Sequence, residues 1–139
     1  MAGAVVIDAS VALALVLREP HAEAVAALID QWHSEDTSLH APHLAHYEIA
    51  SVLTRSRARG DLTPEDVADA LEIIDGLGIA FHSPIDRGRI VDIALDLQRH
   101  SAYDAAYVAL AETLAVPLWT LDGPLARNAR GSFAVELID

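Results

Sequence analysis

The 139-residue chain contains no cysteine, and its nine basic residues are all arginine, so it has no lysine either. The first absence excludes a disulfide scaffold, a thiol nucleophile, an iron–sulfur cluster and a cysteine zinc finger. It agrees with a reducing compartment, and the expected location is the cytoplasm. The second absence excludes Schiff-base lysines, P-loop kinases, Ser–Lys hydrolases and receiver domains that need a lysine beside an acidic pocket. Long apolar runs are also missing. The stretch from Ala9 to Leu17 is too short to span a bilayer and lacks the basic start and cleavage site of a signal peptide. Positive charge is scarce: nine arginines face 21 acidic residues, a net charge of −12. That balance argues against a broad basic nucleic-acid surface while leaving room for a local one.

What is present describes a folded domain. Hydrophobic residues make up 53% and charged residues 22%, which is too apolar for disorder and fits one domain over residues 1–139. Gly3 to Ile7 reads as a buried strand stopping at Asp8, followed by helices over Ala9 to Arg18 and His21 to Trp32. Ser38 to Ala41 is a short strand, and Pro42 fits the first turn of a helix running to Arg59. The Thr63-Pro64-Glu65-Asp66 segment opens a helix ending at Asp75, Gly78 to His82 is a strand, and helices cover Asp86 to Arg99 and Ala102 to Ala115. A strand from Val116 to Leu121, a turn over Leu125 to Asn128 and a strand from Phe133 to Leu137 complete the chain. Alternation of this kind predicts an α/β fold, a three-layer α/β/α arrangement around a mostly parallel sheet. Such sheets bind ligands at the carboxyl ends of their strands.

Four carboxylates stand out. Asp8 and Asp122 each end a strand-like segment, where they are either ligands or helix N-caps. Glu48 shares a helical face with Leu44 and Val52, and is either a functional carboxylate or the partner of an arginine such as Arg55. Asp104 opens a helix on the face of Tyr107, Val108 and Ala111, serving either a site or the helix dipole. Four acids gathered on one cleft would repel one another unless a cation joined them, and an all-oxygen donor set suits Mg²⁺, with Mn²⁺ as a substitute. A carboxylate-held Mg²⁺ serves phosphodiester hydrolysis by activating water.

The segments VVIDAS, HYEIASVL, YDAAYVALA and LWTLDGPLA, in this order from Val5 to about Asn128, resemble the PIN-domain ribonucleases, and above all the VapC-type toxins of toxin–antitoxin pairs. The resemblance implies a PIN-like fold and an acidic metal pocket of Asp8, Glu48, Asp104 and Asp122, with Asp8 and Asp104 as principal Mg²⁺ ligands and Ser10 and Thr120 as lining hydroxyls. It implies cleavage of single-stranded RNA, inhibition by a small VapB-type antitoxin, and a homodimer. The Gly123-Pro124 pair after Asp122 makes a tighter turn than many relatives have.

Other features are read more simply. Arg55, Arg57 and Arg59 either grip an RNA backbone or complement a helix C-terminus. Arg87, Arg89, Arg127 and Arg130 are further RNA candidates, and Tyr103 is a candidate stacking platform. His40, His43 and His46 are spaced by three, but Pro42 interrupts the first interval, only His43 and His46 could share a helix, and Tyr47 stands where a four-residue zinc pairing would need histidine. The apolar stretch from Val11 to Ile29, with Leu15 and Leu28, suits an antitoxin groove. Three other readings remain: a catalytically idle PIN-like binding module, a DNA nuclease on the same scaffold, and an aspartyl-phosphate phosphatase. The last is disfavoured, because Ser10 stands where that chemistry needs a second aspartate and lysine is absent.

Overall fold

The computed structural model describes residues 3–99 and 101–139. Strand β1 (Ala4–Ile7) alternates its side chains between two apolar layers. Val6 packs with Ile93, Leu97, Val108 and Leu118 on one side of the sheet. Val5 and Ile7 pack with Val25, Ile29, Trp32 and Ile138 on the other. A strand buried on both faces needs cover on both faces, and that requirement produces the expected three layers.

The remaining elements follow in order: α1 (Ala9–Val16), α2 (Ala22–Ser34), β2 (Ser38–Pro42), α3 (Leu44–Ala58), α4 (Pro64–Asp75), β3 (Ala80–His82), α5 (Arg87–Asp96), α6 (Tyr103–Leu114), β4 (Leu118–Thr120), α7 (Gly123–Ala129) and β5 (Val135–Leu137). The five strands are ordered β3-β2-β1-β4-β5, and every pairing among them is parallel. The chain runs outward from β1 through β2 to β3, then crosses back to β4 on the other side of β1. This reversal makes the β1/β4 boundary a topological switch point, where adjacent connections leave to opposite sides and open a crevice. Asp8 follows β1 and Asp122 follows β4 at that boundary. A third apolar cluster (Ala12, Leu13, Ile49, Leu53, Ala70 and Ile74) ties α1, α3 and α4 together and so fixes α3 beside the same opening.

Several boundaries shift from the sequence reading, each for a local reason. Pro42 is the last residue of β2 and not a first helical turn. It stands opposite His82, and the next residue, His43, donates to the His82 carbonyl at 2.8 Å the ladder bond that a proline cannot supply. Helix α1 stops at Val16 because Arg18 takes a left-handed conformation (φ 55°), and α5 stops at Asp96 because Gln98 does the same (φ 59°). Strand β3 begins after Gly78, whose φ of 70° suits glycine. The expected capping box at α4 is present: Thr63 Oγ1 accepts from the Asp66 amide, and the Asp66 carboxylate accepts from the Thr63 amide. No helix among the described residues is long and apolar enough to cross a membrane.

Candidate active site

The site is built upward from the ends of β1 and β4. Asp8 occupies the N-cap position of α1, yet its side chain makes no capping bond. It turns to hydroxyls: Ser10 donates to Oδ1 and Thr120 donates to Oδ2. Those hydroxyls are themselves held by backbone. The Leu121 amide donates to Ser10 Oγ at 3.3 Å, and the Asp122 amide donates to Thr120 Oγ1 at 2.9 Å. Thr120 is fully buried and Asp8 nearly so, at 9% exposure. The two strand ends are thus clamped through one carboxylate.

That carboxylate is poorly placed to be an anion. Burial pushes Asp8 up to about 6; the hydroxyl bonds oppose the shift and the negative charge of Asp122 adds to it. Asp104, in the first turn of α6, is half-buried and also raised: burial leads, Arg99 opposes, and Asp122 adds. Asp122 therefore lies within electrostatic reach of both Asp8 and Asp104. Glu48 joins from α3. Its Oε1 accepts from the Tyr107 hydroxyl on α6, and the Tyr107 phenol is held protonated by burial, by that bond and by the charges of Glu48 and then Asp8. Tyr107 follows Asp104 by three residues, so α6 presents both to the same opening.

The alternatives raised by sequence divide. Asp122 does cap α7, its Oδ1 accepting from the Leu125 amide at 3.0 Å. Capping uses that oxygen and leaves the charge in the crevice. Glu48 pairs with Tyr107, and no arginine bridges it among the described residues. Ser101 Oγ accepts from the Tyr103 amide at 3.3 Å, and Tyr103 is 62% exposed beside Asp104.

Two neighbours escaped the sequence reading in their site context. Tyr107 shares the Asp104 face of α6, and that three-residue spacing was the available signal for its place in the site. Arg99 lies beyond the end of α5, with Nε 3.4 Å from Asp104 Oδ2, and no periodicity links the two.

Arginines 57 and 59 sit elsewhere. Arg57 donates to the Leu62 carbonyl at 3.0 Å, and Arg59 pairs with Asp61 at 2.9 Å, so both fasten the α3–α4 turn. Arg59 is roughly 16 Å along the helix from Glu48 at 1.5 Å per residue. Arg89 is gripped by Glu112 through two 3.0 Å bonds. The histidines gather on the β2–β3 edge, where His40 Nδ1 lies 2.9 Å from His82 Nε2 and His46 stacks on Phe81.

The donor chemistry near Asp8 is all oxygen and anionic, which matches a hard cation. Among the described residues, however, no three histidine, aspartate or glutamate side chains converge closely enough to hold an ion as they stand.

Comparison with known proteins agrees with this architecture. Residues 5–131 match the PIN domain family, and the chain belongs to that family. Within it the likeness is to the VapC branch. The chain is 35% identical over 135 residues to Ribonuclease VapC9 of Mycobacterium tuberculosis (strain ATCC 25618 / H37Rv), covering 96% of this chain and 98% of that one. It is 33% identical over 128 residues to Ribonuclease VapC3 of Pyrobaculum aerophilum, covering 88% and 92%. The crystal structure of PAE2754 from Pyrobaculum aerophilum superposes with a TM-score of 0.66 at 25% identity, covering 96% of this chain and 91% of that one. The protein is a VapC-type PIN-domain protein.

Proposed function

We propose that this protein is a Mg²⁺-dependent endoribonuclease toxin that hydrolyses phosphodiester bonds in RNA. The observation that carries the reading is the burial of Asp8 at the switch point, with the charge of Asp122 acting on both Asp8 and Asp104 and the Arg99 guanidinium opposing it only at Asp104. Such a cluster is costly alone and favourable around a divalent ion. Ribonuclease is also the activity for which the relatives above are named.

In this reading Asp8 and Asp104 are the principal ligands of the ion, with Glu48 and Asp122 completing the acidic set. A bound Mg²⁺ would supply Lewis acidity to the phosphodiester and lower the pKa of an attacking water. The protein's own groups prepare the rest. Ser10 and Thr120 fix both oxygens of Asp8, and Tyr107 fixes one oxygen of Glu48. Asp8 and one oxygen of Glu48 are thereby oriented before substrate arrives. Arg55, Arg57 and Arg59 would contribute at most a peripheral grip on the RNA backbone.

Regulation by a VapB-type antitoxin and assembly as a homodimer in the cytoplasm belong to the same proposal. A 540 Å³ groove between the end of α1 and α4 sets Leu15, Leu62 and Ile73 beside Asp61, Asp66 and Asp69, a mixed surface that suits an amphipathic partner segment with basic residues on its polar face. A second reading, a catalytically idle PIN-like binding module, draws its support from the unconverged carboxylates.

The test is cleavage of single-stranded RNA by purified, antitoxin-free protein with Mg²⁺ and with EDTA, beside Asp104→Asn. Cleavage that needs Mg²⁺ and disappears in the variant is the expected result. No cleavage by the wild type favours the idle module, and cleavage of DNA alone favours a DNA nuclease.

A further inference from the structure

Arg99 combines a charge with an unmet bonding need. Helix α5 ends in a left-handed turn at Gln98, and the Arg99 amide bonds back to the Ala94 carbonyl at 3.0 Å. This turn aims the side chain at the first turn of α6. There Nε stands 3.4 Å from Asp104 Oδ2, close enough for an ion pair but without hydrogen-bond alignment. Nε and Nη2 are both shielded from solvent and have no hydrogen-bond partner among the described residues.

Nε and Nη2 form one edge of the guanidinium, the fork that binds two oxygens at once. Arg89 shows the fork in use within this chain: its Nε and Nη2 each donate to Glu112 at 3.0 Å. Arg99 has the same fork beside a carboxylate and leaves it open. Desolvated, unpaired donors are expensive, so an acceptor that satisfies both is strongly favoured. The side chain as a whole is 30% exposed, and gripping a ligand requires the shielded Nε/Nη2 edge to turn toward the opening.

We propose that Arg99 is a substrate-binding residue that grips the two non-bridging oxygens of a phosphodiester in the RNA strand lying across Asp104. This assignment rests on the ribonuclease reading and adds to it the group that would position the strand. It also accounts for how so acidic a protein holds a polyanion: a guanidinium stands inside the acidic crevice itself, while Arg57 and Arg59 are occupied at the α3–α4 turn.

The test is fluorescence anisotropy of a short single-stranded RNA in EDTA, where no cleavage occurs, with wild type, Arg99→Gln and Arg99→Lys, each checked for folding by its melting temperature. Arg99→Gln is expected to weaken affinity about tenfold and to lower the salt-dependence slope by about one. Arg99→Lys recovers the slope but not the full affinity, because a lysine cannot bind as a fork. With Mg²⁺, the KM of Arg99→Gln rises while kcat changes far less. A wild type that cleaves RNA while Arg99→Gln keeps its affinity and slope overturns this assignment alone, and so does a lowered melting temperature with unchanged affinity. A wild type that neither binds nor cleaves RNA overturns the ribonuclease reading together with it.

Discussion

Two aspartates at helix starts meet opposite fates. Asp66, in the first turn of α4, is fully exposed, and its hydrogen bonds with Thr63 hold its carboxyl below the ordinary range. Asp8, at the start of α1, also has two hydrogen-bond donors, yet burial pushes it up to about 6. Hydrogen bonding alone therefore does not decide whether a carboxylate is comfortable; removal from water outweighs two hydroxyl donors. One aspartate stabilises a helix, whereas the other is held where its ionised form is unfavourable, which is the charge the proposed Mg²⁺ would relieve.

The sharpest way to break this contrast is to neutralise each aspartate in turn. Asp8→Asn should lower RNA cleavage by at least about 100-fold while leaving the metal-free protein folded. Asp66→Ala should leave cleavage near wild type and lower the melting temperature slightly. Equal effects on activity would remove the distinction.

The pH dependence of stability sharpens it further. The folded, metal-free protein holds the Asp8 proton up to about pH 6, whereas an unfolded chain releases it near pH 4. The folded state thus binds more protons between those values, and stability falls as pH rises through that window and levels off above it. The expected loss is up to about 3 kcal/mol at 1.36 kcal/mol per pKa unit. Asp104 acts in the same direction. Asp66 acts oppositely, adding stability above the unfolded carboxylate range and losing it in stronger acid. Denaturant melts from pH 3.5 to 7.5 on wild type and Asp8→Asn measure the effect, and the variant should lack most of the decline.

A smaller effect separates Asp8 from its supporting groups. Tyr107→Phe removes the donor to Glu48 without touching Asp8, and should reduce cleavage by roughly 10-fold to 100-fold, the range for groups that orient ligands. Steady-state kinetics of this variant beside Glu48→Gln check whether the bond serves orientation.

Much of this arrangement was readable in the order of residues. The Val5-Val6-Ile7 run revealed a strand buried on both faces, and the strand-end positions of Asp8 and Asp122 marked the crevice. The helix ends were less legible, because Arg18, Gln98 and Ala115 adopt left-handed conformations without being glycine. Tertiary contacts outweigh their local preference there. For Asp122 the two readings were not exclusive, since one oxygen caps α7 and the charge still reaches Asp8 and Asp104. Thr120 reaches Asp8 across 112 positions and Tyr107 reaches Glu48 across 59, and no local pattern reports contacts at such separations.

The most direct test of the central claim is the melting temperature of the protein at pH 7.5 as Mn²⁺ is added. An ion that relieves the Asp8 cluster stabilises the folded state by about 2.7 kcal/mol at 100 times its dissociation constant, so the wild type should melt higher with Mn²⁺ and Asp8→Asn should not respond. Equal shifts in the two proteins, or no shift in the wild type, would contradict the account.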